Sequence, residues 1–334
     1  MMNLDHVKSI LEDVGRVALT THENPDGDGL GCTAAMYQYF QDIKKDCRII
    51  LPSSLPSEYL FLEKDSKFEI YSSEYMDSWL KDTDLVIVFD IGDRRRLKKI
   101  GDAIEKYDIK TLNIDHHPLI NDTDFSYNLV DVNASATGEI VYDILDQCFS
   151  HPMSKEICQG IFTAIMTDTG SFRYSNTNIH SHEIAIECYK AGVNASYIYQ
   201  QIYEASSRCR VKLLGAVLQD IKYEFDGEFA WFIVDANKLM ICDASAKDVE
   251  GFSDFVRTIK GVEIALMILE TGQNRCRINL RSKGKYSVNT IAKALGGGGH
   301  PFAAGAKISK SVEKASPQIL EIVRNSIPRQ KESL

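Results

Sequence analysis

The chain has 334 residues, 44% of them hydrophobic and 25% charged, with a formal net charge of −9. This composition excludes a chain disordered throughout, and the length suits two domains, each with its own core. The acidic balance excludes a protein that coats long nucleic acid by bulk attraction, although a few local cations can still hold a short anion.

Residues 1–13 carry apolar side chains at helical spacing among acids and bases, unlike a signal peptide, and no later apolar run is long enough to span a bilayer. Eight cysteines stand at 32, 47, 148, 158, 188, 209, 242 and 276, with no Cys-x-x-Cys pair. They read as reduced, mostly buried thiols of a soluble, cytoplasmic protein and speak against a zinc ribbon. Val17-Ala18-Leu19 predicts a strand and residues 30–40 a helix. Between them, His22-Glu23-Asn24-Pro25-Asp26-Gly27-Asp28-Gly29 sets a histidine and two aspartates in one tight turn. Further strands are expected at Cys47-Arg48-Ile49-Ile50-Leu51, at Asp84-Leu85-Val86-Ile87-Val88-Phe89 before Asp90, and at Thr111-Leu112-Asn113-Ile114 before Asp115-His116-His117. Short apolar strands alternating with helices predict an α/β fold, its mostly parallel sheet covered by helices. Ligands of such sheets lie beyond the carboxyl ends of the strands, where these Asp and His residues fall.

Ala136-Thr137-Gly138-Glu139 opens a helix expected to reach residue 145. A second, over 157–166, runs into Thr167-Asp168-Thr169-Gly170 and leaves Asp168 at a helix end. Helical patterns recur at 181–189 and at 196–217, the latter reading as a connector. Strands at Phe229-Ala230-Trp231-Phe232-Ile233-Val234, Ile264-Ala265-Leu266-Met267-Ile268-Leu269 and Cys276-Arg277-Ile278-Asn279-Leu280, with helices over 253–259 and 288–295, predict a smaller C-terminal α+β domain. The charged tail after Pro317 is expected to fray. The expected boundaries are a first domain over 1–192, a helical linker over 193–222 and a second domain over 223–330.

The residues that carry chemistry are His22, Asp26, Asp28, Asp90, His116 and Asp168. Four carboxylates repel one another unless cations neutralise them, and two divalent ions balance their charge. Oxygen and imidazole donors without thiolate favour Mn²⁺ over a structural zinc, and imidazole disfavours Mg²⁺ alone. Two ions held close together for hydrolysis need a bridging carboxylate, and Asp90, alone at the end of a central strand, is the candidate. Each aspartate could instead be a helix N-cap or turn residue, but that reading leaves His22 and His116 unexplained.

The set His22-x-Asn24-Pro25-Asp26-x-Asp28, Asp90, Asp115-His116-His117 and Asp168 resembles the DHH phosphoesterase superfamily. Gly296-Gly297-Gly298-Gly299-His300 resembles the glycine-rich motif of its DHH-associated C-terminal domain. The resemblance is strongest to the bacterial nano-RNase/pAp phosphatase type. It implies a DHH catalytic domain, a substrate-binding domain and an active-site cleft between them. By the same resemblance, His22, Asp26 and Asp90 would hold one metal, and Asp28, Asp90, His116 and Asp168 a second. His117 would contact the scissile phosphate, Asp115 would orient an imidazole, and Asn24 would touch phosphate or ligands. Arg281 and Ser282 would anchor a terminal phosphate or base. The implied activity is hydrolysis of short oligoribonucleotides, pAp or pApA to mononucleotides by a water activated between two divalent ions, Mn²⁺ first, with Mg²⁺ or Co²⁺ possible. The implied assembly is a homodimer. Cyclic di-AMP phosphodiesterase, RecJ-like exonuclease, family II-like pyrophosphatase and non-catalytic nucleotide-binding regulator are the alternatives.

Three stretches have their own physics. In the glycine run, Gly297, Gly298 and Gly299 let backbone N–H groups approach an anion, and His300-Pro301 reads as an N-cap and first residue of a helix whose N-terminus takes a phosphate. A flexible linker is the alternative. Arg94-Arg95-Arg96-Leu97-Lys98-Lys99 reads as a solvated helix face or as an RNA-steering patch to which Arg96 contributes. Phe172-Arg173-Tyr174 offers either a base-stacking ring or a core phenylalanine.

Overall fold

A computed structural model of the chain describes residues 4–63, 67–119, 121 and 124–331. It forms two compact units, 1–205 and 206–334. Among the described residues no helix is long and apolar enough to cross a membrane.

The first unit is built on six strands: β1 (Arg16–Thr20), β2 (Asp46–Leu51), β3 (Phe68–Ile70), β4 (Leu85–Phe89), β5 (Lys110–Asp115) and β6 (Tyr127–Val130). Their order is β3-β2-β1-β4-β5-β6 and every pairing is parallel. The sheet is an α/β layer as expected, and β4 shows why its strands read as unbroken apolar runs. Leu85, Ile87 and Phe89 enter the core on one face, while Val86 and Val88 enter the core on the other. The short edge strands β3 and β6 carry mixed polar sequence and gave no apolar run to detect. Chain order reverses between β1 and β4, so the crevice beyond their carboxyl ends is the natural ligand position of this topology.

Helices Gly27–Asp42 and Lys155–Asp168 pack on the first face at close range. A Cβ on Gly31 would lie 2.3 Å from the Gly160 carbonyl, and one on Gly160 would lie 2.5 Å from the Gly31 carbonyl. Only a glycine pair permits that approach, and it fixes both Asp28 at one helix start and Asp168 at the other helix end. Helices are also present at Leu4–Asp13, Thr137–Asp143 and Ile179–Lys190. The stretch expected to be one connector is divided. Ala195–Tyr203 buries Ile198 in the first unit, whereas Arg208–Gln219 buries Leu213 and Val217 in the second.

The second unit has a mixed sheet of β7 (Lys222–Glu224), β8 (Phe229–Val234), β9 (Ile264–Gly272), β10 (Arg275–Ser282), β11 (Gly298–His300) and β12 (Ala303–Ile308), in the order β11-β12-β10-β9-β8-β7. Only the β8–β9 pairing is parallel among these described strands. Helices Val288–Ala294 and Val312–Lys331 cover one face. The tail therefore does not fray after Pro317: the helix continues to Lys331. Pro317 forfeits one backbone bond, a cost of about 3 kcal/mol in a helix interior. Against it stand Ile319, Leu320, Val323 and Ile327, all buried and each contributing roughly 1.5–3 kcal/mol. Packing wins.

The glycine pair yields a direct test. Gly160→Val should destabilise the protein by about 1–3 kcal/mol in denaturant unfolding, because a backbone carbonyl cannot move aside as a side chain could. An unchanged midpoint would show that the helices do not need this approach.

Candidate metal centre

The ends of β1, β4 and β5 bring His22, Asp90, Asp115, His116 and His117 to one place, and two helices deliver the rest. Three overlapping groups have ligand-type atoms within 4.8 Å of one another: His22, Asp26 and Asp90; Asp28, His116 and Asp168; and Asp90, His116 and His117. His22 Nε2 lies 3.5 Å from Asp26 Oδ2 and 3.6 Å from Asp90 Oδ2. His116 Nε2 lies 3.6 Å from Asp28 Oδ2, 3.6 Å from Asp168 Oδ2 and 3.7 Å from Asp90 Oδ1. Asp90 thus turns one oxygen toward each histidine. It does so from a left-handed backbone, φ 59°, which Asp tolerates better than most residues. Its N–H donates to the Ile114 carbonyl at 3.1 Å, tying the bend to β5.

Each acid is held by a specific device. Asp28 is buried at the start of Thr137–Asp143, where Thr137 N and Gly138 N donate to its two oxygens at 2.7 and 3.0 Å. Asp26 caps Gly27–Asp42, its Oδ1 accepting from Gly29 N at 3.4 Å while Oδ2 faces His22. The N-cap and cluster readings of Asp26 are both satisfied by one carboxylate. Asp168 ends its helix, and Asn176 Nδ2 donates to its Oδ2 at 3.1 Å and to the Ser135 carbonyl at 2.8 Å. Sequence reasoning missed the roles of Thr137, Gly138 and Asn176. An alternation or strand-end signal marks none of them, because their positions follow from how distant helices cross.

The histidines differ in exposure and partners. His116 Nδ1 donates to the Ala134 carbonyl at 3.3 Å, which leaves a lone pair on Nε2 aimed at three carboxylates. That buried Nε2 has no hydrogen-bond partner. His22 Nδ1 lies 2.8 Å from the Glu23 carbonyl and 2.6 Å from an Arg96 guanidinium nitrogen, so Arg96 is the member of its basic run that reaches the cluster. Arg95 is instead turned back on Asp93, and Arg94 pairs with Glu105; these residues form a short 3₁₀ turn rather than a helix face. His117 Nδ1 lies 3.0 Å from Asp115 Oδ1 and 3.2 Å from Asp90 Oδ1, and 41% of its side chain stays exposed. Asp115 is fully buried, and its Oδ1 also accepts from the His117 N–H.

Protonation records the crowding of charge. Burial, then the charges of Asp90 and Asp168, push Asp28 well above the usual carboxylate range. Burial, together with Asp90 and Asp26, lifts Asp168 to about 6 even though His116 opposes it. Burial works against a charged His22, but its hydrogen bonds to Asp26 and Asp90 overcome this and raise it to about 9. Hydrogen bonds to Asp115 and Asp90 hold His117 at about 11. Burial would also raise Asp90, yet His117 and His22 draw it well below its ordinary value.

A divalent ion fits this set. Ligand atoms bound to one ion at about 2.0–2.2 Å stand roughly 3–3.5 Å apart, close to the spacings around His22 and His116. An unpartnered buried imidazole nitrogen facing three carboxylates has no other evident purpose in the fold.

The other candidate residues fall differently. Asn24 is an exposed turn residue with φ 51°, its N–H donating to Ser53 Oγ at 2.8 Å. Phe172 packs against the core beside Phe162 and stacks on His182, so its core reading holds; Tyr174 remains 57% exposed. In the second unit, the helix expected after His300 is absent. Gly298–His300 is a strand, and Pro301-Phe302 is the turn that joins it to β12. A Cβ on Gly297 would lie 2.1 Å from the Gly305 carbonyl and one on Gly299 would lie 2.5 Å from that of Ala303. The glycines therefore let two backbones close on each other rather than expose a helix N-terminus. Arg281, next to the last residue of β10, has Nε donating to both oxygens of Asp254 at 3.0 and 3.1 Å, and Ser282 is buried, its Oγ accepting from Gly284 N.

Acids and paired histidines at the carboxyl edge of a parallel sheet make a cluster that could hold metal ions. The DHH family N-terminal domain matches residues 16–166 and the DHHA1 domain matches residues 239–327, so the chain carries both domains of the metal-dependent DHH phosphoesterases. It is 29% identical over 328 residues to the bifunctional oligoribonuclease and PAP phosphatase NrnA of Thermus thermophilus, covering 97% of this chain and 94% of the relative. The protein of the same description from Bacillus subtilis is 26% identical over 295 residues, covering 87% and 89%. An exopolyphosphatase-related protein from Bacteroides fragilis superposes with a TM-score of 0.91 at 26% identity, over 98% of this chain and 97% of that one.

Two outcomes are expected. Ligation requires ionised carboxylates and a deprotonated His22, and those protons are held up to about 6 at Asp168 and about 9 at His22. Affinity for Mn²⁺ should therefore rise with pH across this range, with protons released on binding; calorimetry in buffers of different ionisation enthalpy counts them, and a flat profile would refute it. Asn176→Ala should weaken Mn²⁺ affinity about 10–100-fold by freeing the Asp168 side chain, with little change in unfolding midpoint.

Proposed function

We propose that this chain hydrolyses short oligoribonucleotides, and pAp or pApA, to mononucleotides, using two divalent ions of which Mn²⁺ suits the donors best. The observation that carries the reading is Asp90, with Oδ2 3.6 Å from His22 and Oδ1 3.7 Å from His116. His22, Asp26 and Asp90 would hold one ion, and Asp28, Asp90, His116 and Asp168 the other. When bound, such a pair supplies a water acidic enough to attack phosphorus near neutral pH and offsets the charge of the phosphate.

The chain's own residues do the rest. Asp115 and Asp90 fix His117 through Nδ1 and favour its charged form, which turns a donor and a positive charge toward a phosphate oxygen or the departing oxygen. Arg96 beside His22 adds a second cation at the rim. Asn24 offers an exposed amide at the turn. In the second unit, Arg281, His300 and the backbone of Gly297, Gly298 and Gly299 would bind substrate, while Ser282 shapes the turn beside them. The names of the NrnA relatives support this substrate class. Eight unpaired cysteines support a reducing cytoplasm, and the DHH resemblance supports a homodimer.

Hydrolysis of pAp, pApA, cyclic di-AMP, pyrophosphate and a labelled RNA pentamer, each with Mn²⁺ or chelator, tests the reading. AMP release from the linear nucleotides, lost with chelator and in Asp90→Ala, is expected. Turnover of pyrophosphate alone would overturn it. His117→Ala should lower kcat about 10²–10⁴-fold while Mn²⁺ stoichiometry is kept.

A further inference from the structure

Residues 131–136, between β6 and helix Thr137–Asp143, belong to no strand or helix, yet one side of the metal centre leans on them and on the helix start that follows. The Ala134 carbonyl accepts from His116 Nδ1 at 3.3 Å. The Ser135 carbonyl accepts from Asn176 Nδ2, which also holds Asp168. Thr137 N and Gly138 N donate to Asp28. His116, Asp168 and Asp28 are one of the groups whose ligand-type atoms converge. His22 and Asp26 rest instead on their own turn, through the Glu23 carbonyl and Gly29 N, and on Arg96.

One buried side chain grips this segment. Glu139, in the first turn of its helix, reaches back so that Oε2 accepts from Ser135 N at 3.1 Å and from Ser135 Oγ at 2.7 Å. Asn178 Nδ2 donates to Oε1 at 3.2 Å and to Oε2 at 3.1 Å. Asn178 is itself fixed, because its Oδ1 caps helix Ile179–Lys190 by accepting from Ser181 N at 2.7 Å. Burying a carboxylate is costly unless its oxygens are hydrogen-bonded, and both of these are. Where the bonds go is the telling point. Ser135 N and the Ala134 carbonyl belong to one planar peptide, so a hold on the N–H sets the direction of the carbonyl that orients His116.

We propose that Glu139 is a positioning residue for the ion beside His116. Its grip on the 134–135 peptide aims His116 Nε2, and its grip on Ser135 places the carbonyl that locates Asn176 and, through it, Asp168. It touches neither ion nor substrate. The inference rests on the two-ion reading above and adds that the two ion positions are supported separately, one by residues 134–139 and one by the His22 turn. Outer groups of this kind set the affinity of a metal site through the ligands that they orient.

The test is titration of the full-length protein with Mn²⁺, followed by calorimetry and by electron paramagnetic resonance, in which a bridged pair gives a coupled spectrum and a lone ion an uncoupled one. The wild type should bind two ions. Glu139→Leu keeps the bulk and removes the acceptor; it should weaken one ion about 10–100-fold, leave the other unchanged and show the uncoupled spectrum at intermediate Mn²⁺. Glu139→Gln, whose amide oxygen can take the place of Oε2, should restore the second ion. A merely structural role would lower the unfolding midpoint and weaken both ions alike or neither. Either of those patterns, or failure of Glu139→Gln to rescue, overturns the proposal. If Glu139→Leu does not fold, Ser135→Ala, which deletes only the Oγ donor, must show the same one-sided loss at roughly threefold, and no loss there is equally fatal. A wild type that binds a single ion overturns the two-ion reading itself, whereas two ions in the wild type with unselective variants sinks the role of Glu139 alone.

Discussion

Asp90 presents one oxygen toward His22 and the other toward His116, and Asp26, Asp28 and Asp168 stand around them. Four acids gathered in so small and partly buried a space repel one another. The surrounding structure answers that repulsion in two ways, protons held tightly by Asp28, Asp168 and His22, and backbone donors aimed at the carboxylates. Both are provisional solutions to a charge problem that divalent cations solve better.

The scaffold makes this gathering possible by bringing backbones closer than side chains normally allow. The Gly31–Gly160 contact sets Gly27–Asp42 against Lys155–Asp168, so an acid at a helix start and an acid at a helix end converge on one histidine. The start of Thr137–Asp143 closes on Asp28 from a third direction and gives it two N–H donors. Parallel strands supply the remaining groups, because their carboxyl ends all lie on one edge and chain order reverses between β1 and β4. Rigid packing and charge placement are therefore the same feature seen at two scales.

The second unit uses glycine for a similar end by another route. Its glycine run lets β11 close on β12, and the resulting hairpin borders an open stretch of sheet that carries arginine, asparagine and lysine. The Pro301 carbonyl accepts from Val288 N at 2.7 Å, so the hairpin turn also caps the helix behind it. A local motif that suggests an anion cradle at a helix start is instead a strand edge, and its polar surface lies on the neighbouring strands.

Sequence alone determined the alternation of apolar strands and helices, the parallel sheet, and the six acids and histidines of the cluster. Those signals are local: burial on both faces forces unbroken apolar runs such as Leu85–Phe89, and a strand end can be seen to terminate in Asp90 or in Asp115-His116-His117. The edge strands β3 and β6 were not legible, since a half-exposed strand of three or four residues leaves no distinctive pattern. Nor was the continuation of Val312–Lys331 past Pro317, which depends on a core assembled from β9, β10 and β12. Tertiary structure alone decided that Asn176 reaches Asp168 and that Thr137 and Gly138 hold Asp28 across more than a hundred residues. Each of these is a relation between distant segments, fixed by how closely helices and strands can approach, and no local pattern of side chains encodes it.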